Sequence, residues 1–567
     1  MRRSLLLVAL MTQTACEPGT LVPVRDAGFV DVGDAGVVDA GVVSDAGVNE
    51  DAGVDGGVSD AGVEEDAGTI DAGPVCIDDD GDDGAEVLWA RHIAVVPNQR
   101  ARIGVGRSAT AVGGDAVLLS MATDGVASVR PDDVDVPFSG RGSLSQLTIE
   151  LAAETGAVNG SVVFSASSVG GLLHSADVGA FVSIDGSFFG ELQRNGVAVA
   201  TASVPAEGFF ARIAPGRFEI EPLWQLGPLG ERPSIGSGLT GMIDVDGGSV
   251  VTGVYSGTLR YRRTDTGDGV DLPPITSPEI GHFLARHSQD GDLTSLVVLD
   301  GQFHHPYGLQ PALFESSTLL LSGVLDDDLG VGTQTIALTG PGLVLATVDS
   351  QLQLLSSRVL PLDEGVHAIL QPWIRSAAAG RCAKLTSFAA TAADDATVVI
   401  DGIRVDSRAV EGELARDAIV CFDESLGLRL AVQFERGVFR DVVEHGRAHD
   451  LGLSRTATGF VAAGGFRGAM TIVDAAGISH RLTAPAPDIV NSFVAFFDGD
   501  GVLTTLRHIR SCEHVGVHAV QSFDDGSYIV AGEFRRALHL SARDHFTREI
   551  DDNLRDAFIA RYAPPTP

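Results

Sequence analysis

The chain has 567 residues and a formal net charge of −37, with 39 Lys and Arg against 76 Asp and Glu. That balance excludes nucleic acid as a default partner, because phosphate recognition needs a basic surface, and it argues against electrostatic adsorption to anionic lipid. Hydrophobics at 44%, aromatics at only 6% and 69 glycines fit an all-β chain with many tight turns.

Residues 1–16 read as an export signal. Arg2 and Arg3 form the positive end, and Leu5 to Met11 form an apolar run. That run is too short to span a bilayer, which needs about 20 apolar residues. No later segment is long and apolar enough to cross one either. The run ends at Thr14-Ala15-Cys16. Small residues before a cysteine resemble the lipobox of bacterial lipoproteins, in which that cysteine becomes the acylated first residue. The resemblance implies lipidation at Cys16, although Gln13 stands where a Leu is usual. The alternative is ordinary signal-peptidase cleavage nearby, which would release a free secreted protein.

Residues 17–84 show no hydrophobic periodicity. They hold eight Asp-Ala-Gly triplets, beginning at Asp26, Asp34, Asp39, Asp45, Asp51, Asp60, Asp66 and Asp71, and carry a net −18. Ala and Gly offer nothing to bury and the Asp side chains repel, so a disordered acidic linker is expected. A coil of that length spans roughly 45 Å, and charge repulsion extends it further. Such tracts resemble the stalks behind the lipidated cysteine of bacterial surface lipoproteins. Asp78 to Gly84 looks like a calcium loop, but the sixth and twelfth positions are Asp83 and Trp89 where an EF-hand needs Gly and Glu. Solvated linker is the better reading.

From residue 85 to 567 one plan recurs. The clearest copy has a strand at Ser492–Phe497, a turn at Asp498-Gly-Asp-Gly501, and a second strand at Val502–Ile509. A third follows at Val515–Phe523, then a turn at Asp524-Asp525-Gly526 and a fourth strand at Tyr528–Phe534. Drifting copies begin at Leu147, Phe209, Phe283, Leu343 and Ala418. Their fourth strands are read at Ile184, Val250, Leu320, Val398 and Phe460 respectively. The equivalent residues Ile149, Ala211, Ala285, Ala346, Cys421, Ala495 and Ala560 are spaced by 62, 74, 61, 75, 74 and 65.

Four strands in 60 to 75 residues make one propeller blade with its loops. Six complete units and one split between the two ends predict a seven-bladed β-propeller. Its seam closes where Asp556–Tyr562 pairs with Val87–Ile93. A β-solenoid or two successive sandwiches would leave the repeated Phe-x-Ala-Arg phrase and the split unit unexplained. The phrases Asp556-Ala-Phe-Ile-Ala-Arg-Tyr562, Leu88-Trp-Ala-Arg91 and Tyr528-Ile-Val-Ala-Gly-Glu-Phe534 resemble the bacterial SBBP seven-bladed propeller repeat. That resemblance implies a fold on a surface protein and supplies no catalytic residues.

Beyond Cys16 the cysteines are Cys76, Cys382, Cys421 and Cys512. Four in an exported protein permit two disulfides in three connectivities. Cys382 with Cys421, in adjacent units, and Cys76 with Cys512, near the seam, are the favoured pairs. Free buried thiols are the alternative. There is no Cys-x-x-Cys spacing, nucleophile elbow or phosphate loop, and the single lysine, Lys384, lacks a phosphate-loop setting. Glu444, His445 and His449 have the wrong order for a metalloprotease helix. They read, like His304-His305, as an exposed loop. Asp394-Asp395 and Asp524-Asp525 read as turns.

No catalytic residue, cofactor or metal site is assigned. The expected function is a membrane-tethered binding or display scaffold, monomeric, with a protein or polysaccharide ligand at one rim of its channel. The expected location is extracytoplasmic, lipid-anchored to the outer membrane or cell surface of a Gram-negative bacterium. An exported hydrolase or lyase with a site at the channel mouth is the alternative.

Overall fold

A computed structural model describes residues 86–565 apart from interstrand segments such as 96–100, 301–308, 390–396, 407–413 and 438–450, and single residues such as Cys512. The signal segment, the acidic linker, Cys16, Cys76 and the Asp78–Gly84 patch lie outside the described residues. The described chain is all-β, with no helix among the described residues.

The chain enters as β1 (Val87–Val95) and then builds seven antiparallel units of four strands, each with a hairpin inserted between its second and third strands. Unit 1 has a first strand in two pieces, β2 (Ala101–Ile103) and β3 (Ala109–Val112), then β4 (Ala116–Thr123). The hairpin β5 (Ala127–Arg130) and β6 (Val134–Val136) precedes β7 (Leu144–Ala152) and β8 (Val158–Ala166). Unit 2 is β9 (Ser168–His174), β10 (Val182–Phe189), hairpin β11 (Glu191–Arg194) and β12 (Val197–Thr201), β13 (Glu207–Ile213) and β14 (Ile220–Pro228). Unit 3 is β15 (Gly238–Val245), β16 (Gly248–Tyr255), hairpin β17 (Leu259–Arg263) and β18 (Gly269–Asp271), β19 (Gly281–Ser288) and β20 (Leu293–Asp300). Unit 4 is β21 (Gln310–Glu315), β22 (Thr318–Leu325), hairpin β23 (Leu329–Val331) and β24 (Gln334–Ile336), β25 (Gly342–Val348) and β26 (Leu354–Pro361).

Unit 5 is β27 (Val366–Ser376), β28 (Gly380–Ala389), hairpin β29 (Thr397–Ile400) and β30 (Ile403–Asp406), β31 (Leu414–Phe422) and β32 (Leu428–Gly437). Unit 6 is β33 (Leu451–Arg455), the long β34 (Gly459–Val473), whose far end forms a hairpin with β35 (Ser479–Thr483), then β36 (Val490–Asp498) and β37 (Leu503–Ser511). Unit 7 is β38 (His514–Ser522), β39 (Tyr528–Arg535), hairpin β40 (Ala537–His539) and β41 (His545–Thr547), and β42 (Asp556–Tyr562). Its fourth strand is β1, which pairs antiparallel with β42 from Val87↔Tyr562 to Ile93↔Ala557.

The repeat seen in the sequence is therefore offset by half a sheet. Each phrase that opens on Phe-x-Ala-Arg supplies the third and fourth strands of one sheet and the first and second of the next. One strand assignment is corrected. Val398–Gly402 belongs to the hairpin β29–β30 (Val399↔Arg404, Ile400↔Ile403), and the strand paired with β31 is β28. The hairpin carries the Asp-Gly ending of the phrase, whereas β28 has no glycine near its end, so the short pattern pointed to the wrong strand.

Neighbouring units share apolar cores, which explains strands buried on both faces, such as β16, β39 and β42. Units 6 and 7 meet through Val494, Val515, Phe534 and Tyr562. Unit 7 meets unit 1 through Trp89, Ala531 and Ile559 against Leu119, Leu147 and Ile149. At Gly532 a Cβ would lie 2.1 Å from the Gly516 carbonyl oxygen, so the close approach of β38 and β39 leaves no room for a side chain there.

The inserted hairpins return to the preceding unit. Six of them ladder onto its fourth strand: β5 on β1, β11 on β8, β17 on β14, β23 on β20, β34 on β32 and β40 on β37. The hairpin of unit 1 thus clasps unit 7.

Candidate functional site

Connections lead from the fourth strand of each unit into the first strand of the next. They carry His304-His305 before β21, Glu444, His445 and His449 before β33, and Cys512 before β38; these residues lie outside the described ones. The described first strands are mainly small or apolar there. Leu239 and Met242 on β15, Ala312 on β21, Ala368 on β27 and Leu453 on β33 are buried.

Unit 7 departs from that pattern. His514 and His518 on β38 flank Gly516, which pairs with Glu533 of β39. The two Nε2 atoms lie 3.4 and 3.7 Å from Glu533 Oε1, and all three side chains are largely buried. A carboxylate between two imidazoles can exchange protons with either ring or hold a cationic group. In the repeat Glu533 takes the slot filled by Val254, Val324 and Gly465. A charge in an otherwise uncharged slot was the available signal, and sequence reasoning passed over it.

A second buried pair lies on the opposite face of the same sheet. His92 Nε2 is 2.7 Å from Asp556 Oδ2, joining the first and last strands, and the imidazole stacks on Phe546. This pair was also missed, because its members are 464 residues apart.

The turns between third and fourth strands are built alike. Asp349, Asp423 and Asp498 each accept two backbone N–H bonds through Oδ1. The side-chain hydrogen bond from Ser425, with backbone donors, holds the Asp423 carboxyl below its usual range. Neighbouring units grip these turns. Arg91 donates to Thr155 O and Gly156 O, Trp224 to Gly291 O, and Arg358 to Leu426 O. From the Phe-x-Ala-Arg phrase itself, Arg561 donates to Ala153 O and Arg286 to Ser350 O. The recurrent arginine is thus a connector between units.

Asp525 sits in a turn as read, and Asp394-Asp395 lies outside the described residues. Burial opposes ionisation of Asp525, but bonds from Ser527 and Arg561 hold its carboxyl below the usual range. Lys384 is buried on β28. Cys382 and Cys421 are joined by a disulfide at directly paired positions of β28 and β31. They share one sheet instead of lying in two, which follows from the half-sheet offset. Among the described residues, no group of three His, Cys, Asp or Glu is arranged to hold a metal ion.

No family model matches the chain, and no curated protein does. Among solved structures, the extracellular domain of a B. thetaiotaomicron protein aligns over 78% of this chain and 81% of its own, at 8% identity and a TM-score of 0.14. A likeness at that level defines neither fold nor function.

Proposed function

We propose that the seven units form one closed seven-bladed propeller. It is carried outside the cytoplasm on the acidic segment, anchored through an acylated Cys16 in the outer membrane or cell surface of a Gram-negative bacterium, and works as a binding or display module. The observation that carries this reading is β1. The strand that follows the acidic segment completes the sheet of the last unit, so the tether and the closure of the stack meet at one place. The unit 7 to unit 1 core and the clasp of β5 on β1 support closure. An SBBP-type lineage is part of the same proposal and rests on the repeated phrases.

The ligand-facing region is the side where fourth strands lead into first strands. Glu533, His514 and His518 are its polar anchor. Lipidation is tested by fractionating cells that express Cys16→Ser: loss from the membrane fraction supports the anchor, and unchanged retention overturns it. Binding is tested with the full chain against purified cell-surface polysaccharides by biolayer interferometry. Saturable binding weakened at least tenfold in Glu533→Gln supports the module. Turnover of fluorogenic ester or glycoside probes, lost in Glu533→Gln, would replace it with an exported hydrolase.

A further inference from the structure

The repeat gives unit 6 an internal control. Three adjacent slots can be matched from unit to unit. The first lies on the third strand, opposite the end of the second strand, and the other two lie beside it on the fourth strand. Unit 4 fills them with Gly342, Val359 and Pro361, through the pairs Leu325↔Gly342, Val344↔Val359 and Gly342↔Pro361. Unit 3 fills the first two with Gly281 and Val298, through Tyr255↔Gly281 and Phe283↔Val298. Unit 6 fills them with Asn491 and His508, through Phe466↔Asn491 and Phe493↔His508, and Arg510 stands two residues further along the fourth strand, where unit 4 has Pro361. The first two slots adjoin, since a Cβ on Gly342 would lie 2.7 Å from Val359 Cγ1. Where units 3 and 4 are small and apolar, unit 6 places a cluster of hydrogen-bonding groups.

Unit 7 shows what such a pair needs. Its first two slots hold Asp556 and His92, through Phe534↔Asp556 and Phe558↔His92, and the carboxylate meets the imidazole at 2.7 Å. Both imidazoles lie against the ring that ends the second strand, His92 at 5.2 Å from Phe534 and His508 at 5.4 Å from Phe466. In unit 6 an amide stands where unit 7 has the carboxylate. Asn491 is fully buried, and its Oδ1 accepts from Ser511 N. Asn491 Nδ2 and His508 Nε2 are buried without a hydrogen-bond partner among the described residues. Buried polar atoms in that condition are uncommon, because nothing offsets their desolvation. Burial first, and the Arg510 charge second, lower the His508 pKa to about 4, so this imidazole is uncharged at neutral pH. We propose that Asn491, His508 and Arg510 form a carboxylate-binding site, in which the ligand supplies the acceptor that Asp556 supplies in unit 7. The amide and the Nε2–H form of the imidazole donate hydrogen bonds, and the guanidinium adds the charge. A single positive charge suits a monoanion better than a phosphate dianion. The chain's net −37 repels anions at long range, but physiological salt screens that repulsion beyond about 8 Å, so the contacting donors decide. Arg510 is part-exposed and marks the entrance.

The test is calorimetric titration of the full chain, at neutral pH and physiological salt, with sodium acetate, trigalacturonate and the trimethyl ester of trigalacturonate. One-to-one binding of a carboxylate probe is expected, at least tenfold weaker in Arg510→Gln. Tighter binding of trigalacturonate than of acetate, weakened at least tenfold in the ester, identifies a uronate unit of a polysaccharide. Binding of acetate alone identifies a free small carboxylate, and either result supports the site. Asn491→Asp copies unit 7 by bringing the carboxylate into the chain, so it should abolish binding and raise the thermal midpoint. No saturable binding of either carboxylate, equal binding of the ester, unchanged affinity in Arg510→Gln, or undiminished binding in Asn491→Asp would each overturn the inference. If Asn491→Asp fails to fold, Arg510→Gln decides, because that side chain is part-exposed. Glu533 takes no part in this site, so the Glu533→Gln test of the binding module succeeds or fails separately.

Discussion

Units 5 and 7 contain the same four strands and are secured in opposite ways. Unit 5 is continuous in sequence, carries a covalent cross-link, and among the described residues has no laddered clasp on the unit before it. Unit 7 is assembled from the two ends of the described chain, carries no described disulfide, and is clasped from both sides, giving β40 to unit 6 and receiving β5 from unit 1. Side chains add to that grip. Trp89 Nε1 and Arg561 Nη1 both donate to Ala153 O, and Arg561 also bonds Ser527 and Asp525. Chain continuity therefore does not decide which unit is best held. What differs among the described residues is the number of laddered hairpins exchanged with neighbours, two for unit 7 and one for unit 5.

The comparison can be broken most severely by deleting residues 87–95. This exposes the cores on both faces of unit 7 and removes the buried Trp89, His92 and Ile93. The expected loss is on the order of 5 kcal/mol or more, read as loss of the cooperative thermal transition. Replacing Cys382 and Cys421 by Ala opens a loop of sequence separation 39 and should cost about 4 kcal/mol by denaturant unfolding, without loss of unit 7 pairing. Arg561→Ala removes the charge-assisted bonds at the seam. It should cost about 2–3 kcal/mol, whereas Arg429→Ala, which removes an exposed ion pair to Asp500, should cost under about 1 kcal/mol.

Acid sharpens the contrast more gently. Burial lowers the pKa of His282 to about 3, and burial together with Arg510 lowers that of His508 to about 4. The unfolded chain takes up these protons near the ordinary value of 6.5 while the folded chain does not. Stability is therefore full above about pH 6.5 and falls as the pH drops towards 4, by up to about 1.4 kcal/mol per pH unit for each histidine. His282→Phe and His508→Phe should flatten that slope in urea melts at pH 7 and pH 5.

Much of this arrangement was legible in the residues. Alternating apolar runs, Asp-Gly turns and the spacing of Ala285, Cys421, Ala495 and Ala560 gave four-stranded units and the pairing of the last strand with the Trp89 segment. Sheet boundaries were not legible, because a repeat has no intrinsic starting point and half a sheet either way reads the same. The hairpin at Val398 was mistaken for a unit strand because short strands share one local pattern. The pairs Glu533 with His514 and His518, and Asp556 with His92, form across strands, where sequence separation carries no signal.

By itself, the sequence determined strand content, turn positions and the order of the units, since backbone propensity and side-chain alternation are local properties. Only the tertiary structure decided which strands share a sheet and where arginines meet neighbouring turns. It also decided that, among the described residues, the hairpin β29–β30 pairs only with itself while the other hairpins ladder onto the preceding unit. Those outcomes depend on hydrogen-bonding directions and buried faces supplied by residues far apart in the chain.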